Sequence, residues 1–243
     1  MGLRELVRRL VYGPKASSGT YVEYLRSLGM VIGDDTVIYS PTHCTIDVTR
    51  PWMIEIGRNV SITEGVTILT HGYDWSVLKG RDGWVLGSAG HVCIGDNVFI
   101  GMNSTILKGV TVGDNVVIGA GSVVTKNIPM NCVVAGNPAH VISDVDSYIE
   151  KRKRAQIDEA IDLYACWRKN SPAGRRGEIP PKNLFSEFFW LFESRRDSAL
   201  SDKSFEATMR LRGSYEKSVN LFRTTESEFN NYEDFLSYLD GRL

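Results

Sequence analysis

Residues 94–128 read IGDNVFIGMNSTILKGVTVGDNVVIGAGSVVTKNI, and every sixth position from Ile94 is aliphatic: Ile94, Ile100, Ile106, Val112, Ile118 and Val124. The residue after each is Gly95, Gly101, Leu107, Gly113, Gly119 or Thr125. Four places beyond each aliphatic stand Val98, Ser104, Val110, Val116, Ser122 and Ile128, all small or β-branched. A helix is excluded by this period and by the β-branched, Gly-studded composition, and a hairpin sheet would show period two. A six-residue unit is one short strand plus one corner, and three units make one turn of a triangular coil. Inward aliphatics then stack on their counterparts one coil away at about 4.8 Å. Gly, Asp and Asn take the positive φ values that tight corners require, as at Asp96-Asn97 and Asp114-Asn115. The run therefore predicts a parallel β-helix of hexapeptide repeats.

Weaker copies lie upstream at Ile32 and Ile38, and at Ile56, Ile62 and Ile68. Between Ile38 and Ile56 the rule would place Arg50 inside, so an irregular turn near Thr49, Arg50, Pro51 and Trp52 is expected. From Ile68 to Ile94 the spacing is 26, not a multiple of six, so residues 70–90 must leave the prism as an excursion loop. Long loops on rigid scaffolds carry function. The chain thus divides into a helical N-terminal segment, residues 1–29, a coil over residues 30–143, and an α-helical extension over residues 144–243. The N-terminal segment reads as a short helix, a linker at residues 13–19 and a helix at 21–28. In the extension, helices are expected at 147–169, with Ile149, Ile157, Ile161 and Tyr164 or Ala165 on one face, and at 182–195, 205–215 and 232–239, with a loop at 172–181.

Composition narrows the function classes. The 243 residues are 42% hydrophobic and 23% charged, with a formal net charge of -1, which gives no long-range attraction to nucleic acid phosphates. No apolar run reaches the eighteen or so residues of a membrane span, and residues 1–14 lack the apolar core and cleavage site of a signal peptide. A cytoplasmic protein is expected. Cys44, Cys93, Cys132 and Cys166 form no CxxC pair and read as small core residues. His43, His71, His91 and His140 are far apart in sequence, so no metal is expected.

Residues 94–142, with the GAGSVVTK and AGNPA elements and a His-bearing loop before them, resemble the galactoside and maltose O-acetyltransferase family, and also the capsule, lipopolysaccharide and xenobiotic acetyltransferases. The resemblance covers residues 29–143, under half the chain. It implies a left-handed coil, a sense the period alone does not give and one opposed to the usual right-handed crossover. It also implies acetyl-coenzyme A as cosubstrate, a saccharide hydroxyl as acceptor, and a homotrimer whose neighbouring prisms close the coenzyme groove.

Carried residue by residue, the resemblance makes His71, in ITEGVTILTHGYDW, the general base that deprotonates the acceptor. A sugar hydroxyl is a poor nucleophile, and imidazole titrates near neutral pH. No GxSxG elbow or nucleophilic cysteine is evident, consistent with direct transfer. Asp47, in CTIDVT, matches an acceptor-binding carboxylate, and Tyr73 and Trp75 could wall a sugar ring. Phe99, Gly101, Met102, Gly119, Ala120, Thr125 and Lys126 match coenzyme-binding positions, the Met102 N–H as an oxyanion donor with Gly101 permitting close approach. Where the family has basic residues after AGNP, this chain has His140 and Ser143, leaving His140 and the run Lys151, Arg152, Lys153, Arg154 as alternatives for the phosphates. N-acetylation of an amino sugar, antibiotic modification and a non-catalytic scaffold stay open as other functions.

Overall fold

The inward column of aliphatics organises a computed structural model that describes residues 3–193 and 202–243. Two helices precede the coil, α1 (Leu3–Tyr12) and α2 (Ser18–Ser27), joined by a 3-10 turn at Gly13–Ala16. Ser17 starts α2 through a capping box with Thr20, which satisfies two backbone donors that the first helical turn leaves open. Tyr21, Val22 and Leu25 of α2 are buried in the same cluster as Met30, Ile32 and Ile38, so α2 closes the first end of the coil.

Each turn of the coil contributes three short strands. The first has β1 (Val31–Ile32), β2 (Val37–Ile38) and β3 (Thr45–Ile46). The second has β4 (Ile54–Ile56), β5 (Ser61–Ile62) and β6 (Thr67–Ile68), after which helix α3 (Trp75–Asp82) stands in the excursion loop. The third has β7 (Val92–Ile94), β8 (Phe99–Ile100) and β9 (Thr105–Ile106), and the fourth β10 (Thr111–Val112), β11 (Val117–Ile118) and β12 (Val123–Val124). The strands stack in parallel into three flat faces. Face one is β1-β4-β7-β10, and face three is β3-β6-β9-β12. Face two runs β2-β5-β8-β11, then β13 (Cys132–Ala135), then β14 (His140–Asp144). β14 pairs antiparallel with β13 and ends the parallel stacking, an element the repeat did not foretell.

The predicted inner column is buried: Ile94, Ile100, Ile106, Val112, Ile118 and Val124 are all at most 1% exposed. Burying each side chain of this size is worth about 1.5–3 kcal/mol. Ser104 and Ser122 replace aliphatics inside without leaving an open hydroxyl, because both donate to the Gly119 carbonyl, at 3.0 and 2.6 Å. At the corner between faces one and two, Asn59, Asn97, Asn115 and Asn131 all hold positive φ between 54° and 58°. Their side-chain amides form a continuous ladder, with Nδ2–H donating to the next Oδ1 at 2.9, 2.8 and 2.9 Å.

The eighteen residues from Ile38 to Ile56 hold two steps instead of three, through the buried Ile46. The irregular turn expected there is a 3-10 turn at Pro51–Met53, and Arg50 is half-buried.

The chain forms two units, Met1–Tyr148 and Ile149–Leu243. In the second, α4 (Val145–Asn170), α5 (Pro172–Arg175), α6 (Lys203–Arg210), α7 (Tyr215–Thr224) and α8 (Tyr232–Asp240) surround a cluster rich in aromatic rings. Ala160 and Tyr164 supply the buried part of α4, and Ile157 and Ile161 pack partly against the cluster. Ile149 does not share that burial; it is 44% exposed.

The helix expected at 182–195 is instead two 3-10 turns, Lys182–Phe185 and Phe189–Leu191; Ser194 and Arg195 lie outside the described residues. Phe185, Phe189, Leu191 and Phe192 are all buried, and seating these side chains in one cluster overrides the weak helical preference of aromatic residues. The single helix expected at 205–215 ends at Arg210, because Arg212, Gly213 and Ser214 all adopt positive φ.

Candidate active site

Thr70 and His71 follow β6 where the chain leaves face three. Two strands of the loop base are tied together there. The Gly90 N–H donates to the Thr70 carbonyl at 2.9 Å, the Gly72 N–H donates to the Ser88 carbonyl at 3.1 Å, and His71 bridges Ala89 antiparallel. The loop does leave the prism, and it carries α3, which sequence reasoning missed. Gly83, in the left-handed region at φ 84°, ends that helix. No side chain of α3 is buried.

Asp47 follows β3, one coil away from His71 at the same corner, and its side chain is 2% exposed. Its Oδ2 accepts from His71 Nδ1 at 2.6 Å, from the Thr70 N–H at 3.1 Å and from the Thr70 hydroxyl. Its Oδ1 accepts from the Thr49 N–H at 3.0 Å and the Thr49 hydroxyl at 2.6 Å. Burial alone would raise this carboxyl, but hydrogen bonds from Thr49 and Thr70 outweigh it and hold the group well below the usual carboxylate range. An ionised carboxylate only accepts, so His71 Nδ1 carries the proton of this bond, and it is Nε2 that holds the lone pair in the neutral ring. Nε2 has no hydrogen-bond partner among the described residues. The sequence offered Thr49 as a turn neighbour of Asp47, through the Asp-x-Thr spacing in which a short side chain bonds the backbone two residues on, but did not single out Thr70.

This arrangement has a consequence for acid stability. The unfolded chain takes up the Asp47 proton first, near pH 3.9, as pH falls. The carboxylate's contribution is therefore fully present above about pH 5 and drains away below about pH 4. The melting-temperature gap between the wild type and Asp47→Asn is expected to be widest at pH 6–7 and to shrink toward pH 3. A gap constant over that range would show the carboxylate to be uncoupled from folding.

Tyr73 lies edge-on to His71, with ring centroids 4.9 Å apart at 88°, and Trp75 lies 6.2 Å beyond Tyr73. Tyr73 is exposed and Trp75 half-buried.

The remaining positions divide between two edges of face three. Thr125 and Lys126 follow β12 at the edge where His71 leaves β6, and both are exposed. Gly101, Met102, Gly119 and Ala120 lie at the opposite edge, between faces two and three. There the Gly121 N–H donates to the Met102 carbonyl at 2.7 Å, and Met102 and Ala120 are exposed. Phe99 projects, half-exposed, from face two nearby. His140 is exposed on β14, in register with Ala135. Some five residues of extended chain, at about 3.3 Å each, separate the two edges, so one chain does not bring His71 and Met102 together. Gly101 serves the stacking itself: a Cβ there would sit 2.5 Å from the Ala120 nitrogen. Among the described residues, no group of three or more His, Cys, Asp or Glu side chains could hold a metal.

A β-helix built from six-residue units defines the hexapeptide-repeat class. The family model that matches, over residues 91–126, is described as the hexapeptide repeat of succinyl-transferase. Protein CapG of Staphylococcus aureus is 44% identical over 128 residues, which cover 52% of this chain and 73% of that protein. The putative acetyltransferase YvoF of Bacillus subtilis is 38% identical over 109 residues, 45% of this chain and 58% of that one. Among solved structures, a maltose O-acetyltransferase from Clostridium difficile 630 aligns with a TM-score of 0.39 and 32% identity, over 58% of this chain and 86% of that one. The chain belongs to the hexapeptide-repeat acetyltransferases.

Proposed function

We propose that the chain transfers an acetyl group from acetyl-coenzyme A to a hydroxyl of a saccharide, with His71 as general base and Asp47 as its positioning residue. The observation that carries this is the 2.6 Å bond from His71 Nδ1 to a buried carboxylate, with the other ring nitrogen unpartnered among the described residues. Coenzyme A supplies the acetyl group as a thioester, already activated toward attack. His71 Nε2 takes the acceptor's proton as that attack proceeds, and the imidazolium so formed is held against the Asp47 charge; the C–S bond then breaks, and coenzyme A leaves as the thiol with the proton returned from the imidazolium. Asp47 has both oxygens engaged by Thr49, Thr70 and His71, so its part is to fix the ring's tautomer and orientation and not to grip the acceptor. The exposed face of Tyr73, and Trp75 beyond it, offer C–H faces of a sugar a stacking surface.

The coenzyme fits the two exposed edges only in part within one chain. Met102 and Ala120 would meet its pantetheine arm at one edge, and Thr125 and Lys126 its phosphates at the other. A homotrimer that sets the His71 edge of one prism against the Met102 edge of the next completes the groove. Sedimentation equilibrium of active protein is expected to give the mass of three chains; a monomer retaining full turnover would end this reading. The reading also puts the protein in the cytoplasm, where coenzyme A thioesters are made.

Substituting Asp47→Asn is expected to lower kcat about tenfold, the equivalent of one pK unit of lost imidazolium stabilisation, with KM for both substrates nearly unchanged. A rise in acceptor KM with kcat intact would return Asp47 to the acceptor-binding role. The experiment that tests the function itself is thiol release from acetyl-coenzyme A across a panel of sugars, amino sugars and antibiotics. Release with a neutral saccharide supports the reading, and release only with amines assigns the chain to N-acetylation.

A further inference from the structure

Helix α1 is a ten-residue helix whose described aliphatic side chains are all exposed. Leu6, Val7, Leu10 and Val11 are 44%, 50%, 80% and 66% exposed. At 100° per residue they fill one arc of about 140°. Arg8 and Arg9 stand about 60° beyond either margin of that arc. The groove between α1 and α2 is lined from the α1 side by Arg9, opposite Glu23, Tyr24 and Ser27 of the second half of α2. Arg9 lies about 130° round from the centre of the apolar arc. The helix therefore leans on its own chain with a polar flank and turns its apolar stripe outward.

Charge selects the occupant of that stripe. Residues 1–15 contain Arg4, Arg8, Arg9 and Lys15 against Glu5, a balance of +3 in a chain whose total is -1. A second copy presenting the same helix would oppose arginine to arginine. An anionic lipid surface accepts both halves of the pattern, apolar side chains below the headgroups and guanidinium groups among the phosphates. At about 15 Å the helix is far too short to cross a bilayer, so it would lie in the plane of the interface. We propose that α1 is a membrane-surface anchor that docks the first end of the coil on anionic lipid. This inference stands apart from the proposed reaction.

The test is flotation of the full chain with vesicles of phosphatidylcholine alone or with about 30% phosphatidylglycerol. Binding to the anionic vesicles is expected to exceed that to neutral ones at least about tenfold, and to fall as salt is raised to about 0.5 M. The double substitution Leu6→Glu and Leu10→Glu should abolish it, and Arg8→Glu should weaken it roughly tenfold. Both variants should keep the wild-type circular dichroism, sedimenting mass and turnover on a soluble acceptor. Binding that survives the double substitution overturns the proposal, as does no binding to anionic vesicles. A smaller sedimenting mass for the double variant would assign the stripe to a second copy.

Discussion

Replacing His71 by alanine is expected to lower turnover at least about a hundredfold, the scale on which a positioned general base accelerates proton transfer. The geometry makes this a clean substitution. The Asp47 carboxylate loses one donor but keeps four, two from Thr49 and two from Thr70, so it stays ionised and held. Loss of one hydrogen bond of this kind costs about 1–2 kcal/mol, which a coil of this size survives. Coenzyme affinity should hardly change, because none of the exposed edge positions touches the imidazole. The measurement is kcat against acceptor, alongside coenzyme binding by calorimetry. Turnover retained above a tenth of the wild-type rate would remove His71 from the mechanism.

The second large effect concerns the coil. Ile100→Ala is expected to destabilise the β-helix by about 2–5 kcal/mol, the range for truncating a buried aliphatic in a rigid site. Ile100 has no exposed surface and stacks between Ile62 and Ile118 in the registered columns of β5, β8 and β11. Those neighbours cannot close the gap. The coils are pinned at strand spacing by backbone bonds, Thr63 N–H to the Ile100 carbonyl at 3.2 Å and Gly101 N–H to the Ile118 carbonyl at 2.8 Å. Val117→Ala, half-exposed on the outer side of the same face, is the control and should cost under about 1 kcal/mol. Denaturant unfolding followed by far-ultraviolet circular dichroism distinguishes the two. Equal costs would mean that the column is not what holds the coils together.

The coil was legible because its rule is local and repeated: one aliphatic every sixth residue cannot be satisfied by a helix or a hairpin. The same rule located the excursion by its failure between Ile68 and Ile94. It could not supply β14, which pairs antiparallel and follows no hexad, nor α3, whose side chains find no core to advertise. At residues 182–195, the apolar-rich run suggested a helix. Packing of Phe185, Phe189 and Phe192 with Phe205, Phe222 and Phe235 decided otherwise, and that information lies far away in sequence. At the site, His71 was singled out by the family resemblance together with its place at the root of the loop. The partnership with Asp47 was not, because it crosses from one coil to the next over twenty-four residues.

The base of the excursion is stapled at Thr70 to Gly90 and at Gly72 to Ser88, while the helix between them buries no side chain fully. Beyond Tyr73 and Trp75, whose rings reach back to the imidazole, the loop can be exchanged without respacing the rungs beneath it. Under the proposed function, the chain carries its selectivity as a cassette: residues 76–87 are open to change while the imidazole stays bolted to the frame.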